Sequence, residues 1–592
     1  MNTTTPAVIQ HLGMWDYTII AFFAFLMVGL GVICRKLNKN PSDYFRGGGN
    51  MLWWVGGISA LSTSISAWSF TGAAAKSYQD GFLYPVTVIA GALPAMLVMW
   101  YLAPRFKRLR VITAMEGVFR RFGMGTEQFY TWFTLPMGLF WGGIGLNTIG
   151  VFMAGAFRMD VPTTVIVFGL LLTFVAVLGG QWALSFFAVV QGILLLLVVI
   201  TVAILSLLRP EIGGLMNLPT VLPPRHLNFA FESSCSLVTV WFIYQVLFGV
   251  LGQMDLRNSG KFVRVKDDVS AKRMVLVMFI PVLCLLPIFM QLPAICAAVV
   301  YPNIAGVFPQ LKSPEEGAWL AMALTVLPQG LIGLMVAMIF GATADSTDAA
   351  LNSNAGFFTR NVYLRYIRPQ ASEKNQVFTG KIITGIFGLI TIGVALAVNS
   401  LRDLNLFDLF QVLNAMLLPP MVVPMVLGLF IKRTPDWSGW STVVAGLTVG
   451  VIANAVYSVE GVQSVLGLER VLSMREMVES KYIFISTLTW GISSLWFIGT
   501  RLFWSKALPV QRERIELLFQ DLVRPVNHLA EGGENQDSMQ YRIVGGLFTL
   551  TGGLLVLGAL IPNPIYGRVI FLVIGGILML MGWAFLRLSK RG

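Results

Sequence analysis

The chain alternates between long apolar stretches and short polar loops. We count about fifteen mostly apolar stretches of roughly 20 residues, the length that an α-helix needs to cross the hydrocarbon of a bilayer. They lie near residues 16–35, 51–75, 82–103, 128–157, 162–180, 182–208, 234–256, 274–300, 328–358, 376–400, 404–431, 439–458, 482–504, 543–562 and 568–587. The split between the fifth and sixth stretches and the additional pair at the end are the least distinct. The pattern predicts an all-α integral membrane protein.

Composition supports this prediction and leaves little room for a water-soluble domain. Of the 592 residues, 56% are hydrophobic and only 12% are charged, against roughly 25% charged residues in a soluble domain. The longest polar segments are about 209–232, 301–327, 459–481 and 505–541. None is large enough to hold an enzyme, and we expect the last to be one or two amphipathic helical turns followed by a flexible, solvated linker. A regulatory docking role for that segment is the less favoured alternative.

The positive charge is spread over alternate loops, so the net charge of +13 does not indicate nucleic-acid binding. If the N-terminus lies outside, roughly 31 of the 42 Lys and Arg residues fall in inner loops, as the positive-inside rule requires. An odd number of crossings then leaves the C-terminus in the cytoplasm. The first stretch lacks a positive leader and a small-residue cleavage site, so we expect it to be a retained helix.

Cysteine and histidine indicate no catalytic chemistry. The four Cys residues form no CxxC pair, and the three His residues lie outside the apolar stretches. We therefore expect no disulfide framework, no zinc site and no nucleophile–base pair within the membrane.

The second stretch is unusually rich in hydroxyl side chains. Between Ser59 and Thr71, seven of thirteen residues are Ser or Thr. Such side chains bond to helix carbonyls and satisfy the backbone where a membrane helix opens, as in transporters whose broken helices hold cations and substrate. Small hydroxyl residues also form ordinary helix-packing surfaces, and that alternative stays open.

Two carboxylates lie within the ninth stretch. Asp345 and Asp348 are surrounded by apolar and small residues, where an ionised group costs at least about 2.5–3.5 kcal/mol unless it faces a cavity, an ion or a partner. Ala342, Asp345, Ser346 and Ala349 share one helical face by their i, i+3, i+4 spacing. This face is suited to a cation. Alternatively, each carboxylate hydrogen-bonds a neighbouring helix.

Three motifs give the chain a resemblance to the sodium:solute symporters. The sequence DYFRGGG (43–49) followed by Trp53-Trp54 is similar to the entry of that family's first core helix. GKFVRVKDDVSAKR (260–273) is similar to its inner loop, and residues 327–369 to its LPPGL…LNS…FT…IRP signature. The resemblance covers about residues 14–505.

The resemblance implies a core of two inverted five-helix repeats, with substrate bound at mid-membrane between broken second and seventh stretches. The implied division is an N-terminal helix with its loops (1–50), the ten-helix core (51–431), two accessory helices (432–504), a cytoplasmic linker (505–542) and two C-terminal helices with an inner tail (543–592). The family's main sodium site corresponds to the carbonyls of Ser62, Ile65 and Ala342 and the side chains of Asp345 and Ser346.

Two positions depart from the family pattern. Asp345 replaces the usual hydroxyl ligand, which gives the empty site a formal negative charge. Ala188 stands where some members carry the Asp of a second sodium site, whereas Asp348 falls at a position that supplies a hydroxyl to that site. We infer that Asp348 is a possible second cation ligand. The simpler alternative is that it stays protonated or pairs with a basic residue.

The sequence therefore predicts a secondary active transporter of the cell membrane that couples inward movement of Na⁺ to uptake of a small polar solute, such as a sugar or small carboxylate. Trp68, Ser69, Tyr244 and Gln245 are candidate solute ligands. The main alternative is H⁺ coupling on the same fold, because a desolvated carboxylate can take up a proton. A transporter-like sensor is less favoured, because about 37 residues after position 505 cannot form an output domain. No nucleic acid or protein partner is implied.

Overall fold

The computed structural model describes residues 10–34, 47–111, 113–227, 235–400, 406–466, 474–526 and 536–590. Within these residues the fold is helical, and the only pairing of extended chain is an isolated bridge between Met51 and Val265. The first eleven helices are α1 (Met14–Cys34), α2 (Trp53–Ser62), α3 (Gly72–Asp80), α4 (Leu83–Arg108), α5 (Ala114–Phe157), α6 (Val161–Leu207), α7 (Leu218–Val221), α8 (Pro224–Leu227), α9 (Cys235–Gln253), α10 (Ser259–Phe262) and α11 (Asp268–Leu283).

The other eleven are α12 (Leu286–Val300), α13 (Ala318–Val326), α14 (Leu331–Phe358), α15 (Glu373–Ser400), α16 (Leu406–Phe430), α17 (Ser438–Val456), α18 (Val459–Leu466), α19 (Met474–Gly499), α20 (Pro509–Asp521), α21 (Asp537–Gly558) and α22 (Ile565–Leu588). Short 3₁₀ turns link several of them, and a π-helical segment, Thr359–Ile367, follows α14.

Every apolar stretch of the sequence falls on described helix. Ten helical stretches are long and apolar enough to cross a bilayer, and four more are shorter apolar helices. The remaining stretch is the pair α2 and α3, which the chain interrupts between Ser62 and Gly72. The all-helical class is therefore confirmed, and the number of crossings stays a prediction.

The helical segment α6 is bent between two contacts with α14. The Phe168 ring lies 5.5 Å from the Phe340 ring of α14. Phe187 lies against the next residue of α14, because a Cβ at Gly341 would come within 3.0 Å of it. In a straight helix, residues 168 and 187 would be about 28 Å apart. The segment therefore bends between them, and its division into a fifth and a sixth crossing stays a prediction.

Helix α14 begins against the N-terminal helix. The buried Asp16 carboxylate of α1 accepts hydrogen bonds from the backbone N–H groups of Gly330 and Gly333, both at 2.7 Å. These are among the first donors of α14, which have no partner within their own helix. A carboxylate at this end also opposes the positive pole of the helix dipole. Asp16 thus fixes the helix that carries Ala342.

Two polar segments differ from the expectation. The segment 301–327 contains α13, which is almost fully buried against the core. The predicted linker contains the thirteen-residue helix α20, which packs with Ile515 and Leu518 buried. Arg120 pairs with Asp521 of this helix, and Arg514 bonds Asp436 at 2.5 Å. Because these two ion pairs join α20 to α5 and to the α16–α17 connection, this part of the predicted linker is docked. Residues 527–535 lie outside the described residues.

Candidate functional site

The second stretch opens where the sequence places its hydroxyl residues. Helix α2 ends at Ser62, the next residues form turns, and Ser66 is extended with φ −141° and ψ 176°. The hydroxyls of Thr63 and Ser64 donate to the carbonyls one turn back, at 3.0 and 2.6 Å. The predicted broken helix is confirmed. By contrast, the seventh stretch was expected to be broken, but the structure has it as one continuous helix, Cys235–Gln253.

The opening lies directly against α14. The backbone N–H of Ala67 donates to Thr343 Oγ1 at 2.8 Å, in a buried contact. Thr343 follows Ala342, which is fully buried. Ser62 is 1% exposed, and its hydroxyl has no hydrogen-bond partner among the described residues. The structure therefore brings together the end of α2 and the turn of α14 that carries Ala342.

The second half of α6 forms a third wall at this place. A Cβ at Gly192 would lie 3.4 Å from the Ser62 Cβ, so the two helices touch here. Gln191 is 1% exposed, and its Nε2 donates to the Met338 carbonyl of α14 at 3.1 Å. Its Oε1 has no hydrogen-bond partner among the described residues. Ala188 is fully buried. The sequence interpretation missed Gln191, although it lies only three residues after Ala188.

The two carboxylates are described only as positions on helix α14. The side chains of Asp345, Ser346, Asp348 and Ala349 lie outside the described residues. Their assignment as cation ligands therefore stays a prediction. Ile65 lies in the opening itself, where its N–H bonds the Ser62 carbonyl at 3.0 Å.

A cavity of about 520 Å³ adjoins the opening. Its described lining carries hydroxyl groups, two indole rings and one amide, and no ionisable side chain. The lining residues are Ser64, Ser66, Trp68, Gly138, Trp141, Gly142, Ile144, Gly145, Thr148, Thr347, Ala350 and Asn414. Asn414 is 5% exposed, and its Nδ2 has no hydrogen-bond partner among the described residues. The opening after α2 and the helices α5, α14 and α16 contribute these groups, so no local motif could have revealed the set.

Of the four predicted solute ligands, two line a cavity. Trp68 borders the 520 Å³ cavity and also a second one of about 310 Å³, where Gln245 lies. Ser69 is not among the lining residues, and its carbonyl accepts a hydrogen bond from Gln291 at 3.0 Å. Tyr244 hydrogen-bonds Thr487 of α19 instead.

The second cavity carries a positive charge at one end. Lys261 lines it, and burial, helped by the neighbouring Arg264, lowers the pKa of this ammonium group to about 8. The rest of its lining is largely apolar. The two cavities meet at Ser64 and Trp68, which line both.

A family model links this architecture to known proteins. The model described as "Sodium:solute symporter family" matches residues 44–446. The chain belongs to the sodium:solute symporter family. Helices α18–α22 lie beyond the matched region.

Characterised relatives agree with this assignment. The chain is 24% identical to the sodium/sialic acid symporter NanT of Aliivibrio fischeri, over 74% of this chain and 87% of the relative. It is 24% identical to the sodium/myo-inositol cotransporter 2 of Oryctolagus cuniculus, over 73% and 68%. A solved substrate-bound, outward-open Na⁺-coupled sialic acid symporter superposes with a TM-score of 0.64 at 20% identity, covering 84% of this chain and 99% of that one.

Family membership confirms the main functional prediction. The chain is a multi-pass membrane transporter that couples solute uptake to Na⁺. The sodium ion is cargo that drives the cycle.

Proposed function

We propose that the coupling Na⁺ binds between the end of α2 and α14. The carbonyls of Ser62, Ile65 and Ala342 and the side chains of Asp345 and Ser346 are its ligands. The observation that carries this proposal is the buried hydrogen bond from Ala67 N–H to Thr343 Oγ1, which holds the opened helix against the turn after Ala342. Carbonyl and carboxylate oxygens are suitable ligands for a hard cation.

The solute site in this proposal is the cavity of about 520 Å³. The indoles of Trp68 and Trp141 offer flat apolar faces, and the hydroxyls around them offer donors and acceptors. This chemistry suits a small polyhydroxylated solute such as a sugar, which fits the sialic acid and myo-inositol relatives. A thermal-shift screen of sugars, polyols, amino acids and carboxylates, with and without Na⁺, tests the class. Stabilisation by amino acids alone would contradict it.

The orientation that we propose places the N-terminus outside and the C-terminus in the cytoplasm. We define the basic face as the side that carries the α4–α5 and α9–α11 connections, and these are rich in Lys and Arg. By the positive-inside rule the basic face is cytoplasmic. One Na⁺ entering through a potential of 100 mV releases about 2.3 kcal/mol, which concentrates a neutral solute roughly fifty-fold.

The cation site is tested by substitution of Asp345. Asp345→Asn should abolish Na⁺-driven accumulation and Na⁺-dependent thermal stabilisation, because the ligand loses its charge. Asp345→Ser, which restores the usual family hydroxyl, should keep part of both. Normal accumulation by Asp345→Asn would refute the assignment, and accumulation that follows a pH gradient without Na⁺ would favour H⁺.

Asp348 is proposed as a ligand for a second cation. Reversal potentials in proteoliposomes at several Na⁺ gradients give the number of ions moved per solute. A fall from two ions to one in Asp348→Ala supports the second site, whereas one ion in both proteins removes it.

A further inference from the structure

The chain that enters α2 is held from both sides. On one side, the fully buried Gln540 of α21 accepts the Leu52 N–H with Oε1 at 2.9 Å and donates from Nε2 to the Asn50 carbonyl at 2.8 Å. On the other side, the Met51 N–H donates to the Arg264 carbonyl at 2.9 Å. Alternate residues of extended chain face opposite sides, so this short segment can bond two partners at once.

The same two partners are joined beyond these hydrogen bonds. Lys266, next to the segment that pairs with Met51, forms an ion pair with Asp537, one turn before Gln540. Trp54 in the first turn of α2 stacks on Phe585 of α22, with ring centroids 4.6 Å apart and planes 12° apart. The C-terminal hairpin, α21 with α22, thus contacts both the start of α2 and the loop before α11.

Gln540 also accepts a hydrogen bond from a backbone N–H at the start of α2. Leu52 is the N-cap of this helix, which has no capping side chain of its own. The first N–H groups of a helix have no partner within it. A buried amide with both of its polar ends engaged holds the backbone at a defined position, because each displaced hydrogen bond leaves a buried group unsatisfied.

We propose that Gln540 is a positioning residue for transport: it fixes the start of α2 so that Ser62, ten residues further on, stays at the cation site. Helix α2 spans about 15 Å as one rigid rod, so a displacement at its start reaches its end. The inference rests on the proposed cation site for its Na⁺ readout. Through Gln540, the C-terminal hairpin would hold α2 in place, although this hairpin lies beyond the region that the family model matches.

The test compares Gln540→Met with Thr551→Val in the full-length chain. Methionine is close in size to glutamine and cannot replace its two hydrogen bonds. Thr551 is also fully buried and lies in the same helix, about three turns further along. Gln540→Met should raise the Na⁺ concentration for half-maximal thermal stabilisation about tenfold, the order expected for two buried hydrogen bonds. Thr551→Val should leave it unchanged.

A second readout does not depend on Na⁺. A cysteine introduced at Ala60, which lines the 310 Å³ cavity, reports whether α2 departs from its packed position. In Gln540→Met its reaction with an impermeant thiol reagent added at the basic face should be about tenfold faster than in Thr551→Val. This comparison uses a background in which the native cysteines are replaced.

A third variant removes the hydrogen bond between Leu52 and Gln540 by changing Leu52, its donor. Leu52 has φ −58° and ψ 136°, which proline adopts without strain. Leu52→Pro deletes the donor and should act in the same direction as Gln540→Met, measured against Leu52→Ala.

Equal Na⁺ response and equal labelling in Gln540→Met and Thr551→Val would overturn the proposal. If the wild type shows no Na⁺ stabilisation, the cation site fails and the labelling alone decides the role of Gln540.

Discussion

The most informative single substitution is Asn414→Leu. Asn414 lies in α16, is 5% exposed and lines the 520 Å³ cavity. Its Nδ2 has no hydrogen-bond partner among the described residues. Leucine is similar in size, so the substitution removes a polar donor and changes the cavity shape little. We expect it to weaken solute binding without weakening the fold.

The size of the effect depends on the solute group that Asn414 meets. A hydrogen bond to a neutral hydroxyl contributes about 0.5–1.5 kcal/mol, so affinity should fall roughly 2- to 13-fold. A bond to a carboxylate contributes about 1.5–3 kcal/mol, which corresponds to roughly 13- to 160-fold. Thermal stability should hold or rise, because the substitution removes no hydrogen bond that the described residues make.

The assay measures the solute half-saturation constant in proteoliposomes and the thermal midpoint of the same preparation. Asn147→Leu is the matched control. Asn147 is fully buried, and its Nδ2 donates to the Ala395 carbonyl at 3.3 Å. It should lose about 1 kcal/mol of stability with little change in solute affinity. If Asn414→Leu lowers the midpoint as much as the control and leaves affinity unchanged, Asn414 is a packing residue and the assignment of the cavity is wrong.

Two further predictions concern stability. Burial lowers the pKa of His226 to about 4, whereas the same group in the unfolded chain binds a proton near pH 6.5. The free energy of unfolding should therefore fall by up to about 3 kcal/mol as the pH drops from 6.5 to 4. In thermal scans, the stability of His226→Gln should depend less on pH than that of the wild type. Lys76 and Glu479 form a buried ion pair at 2.9 Å. Glu479→Leu should therefore lower the free energy of unfolding by about 3–5 kcal/mol. The loss is reduced to the extent that Asp80, which also pairs with Lys76, compensates the charge. Adding Lys76→Met should recover much of this loss, and a double-mutant cycle without coupling would contradict the pair's role.

Most of the helices could be predicted from the sequence because a bilayer sets their length. Each apolar stretch falls on described helix, and the hydroxyl cluster after Ser59 marked the opening of the second stretch correctly. Both signals are local: a run of apolar residues must bury its backbone in a helix, and Ser or Thr can satisfy carbonyls where that helix ends. The expected break in the seventh stretch had no such local signal, and the structure does not have it.

The candidate site was predicted only where a motif carried it. Ala342 and Ser62 were located through the family pattern, and the structure brings their helices together. Trp141, Thr148 and Asn414 were missed because each is an ordinary residue of its own helix. Membrane helices are apolar on most faces, so periodicity does not reveal which face meets a cavity.

The sequence by itself determined that this is a helical membrane transporter of the sodium:solute symporter family, because hydrophobic length and ordered motifs are properties of the chain. The tertiary structure decided which polar groups share a space. Asn414 and Ser66, or Gln540 and Leu52, are hundreds of residues apart, and only packing brings them within reach. A buried polar group must find its partner wherever the fold places one, so the arrangement of these partners belongs to the folded molecule alone.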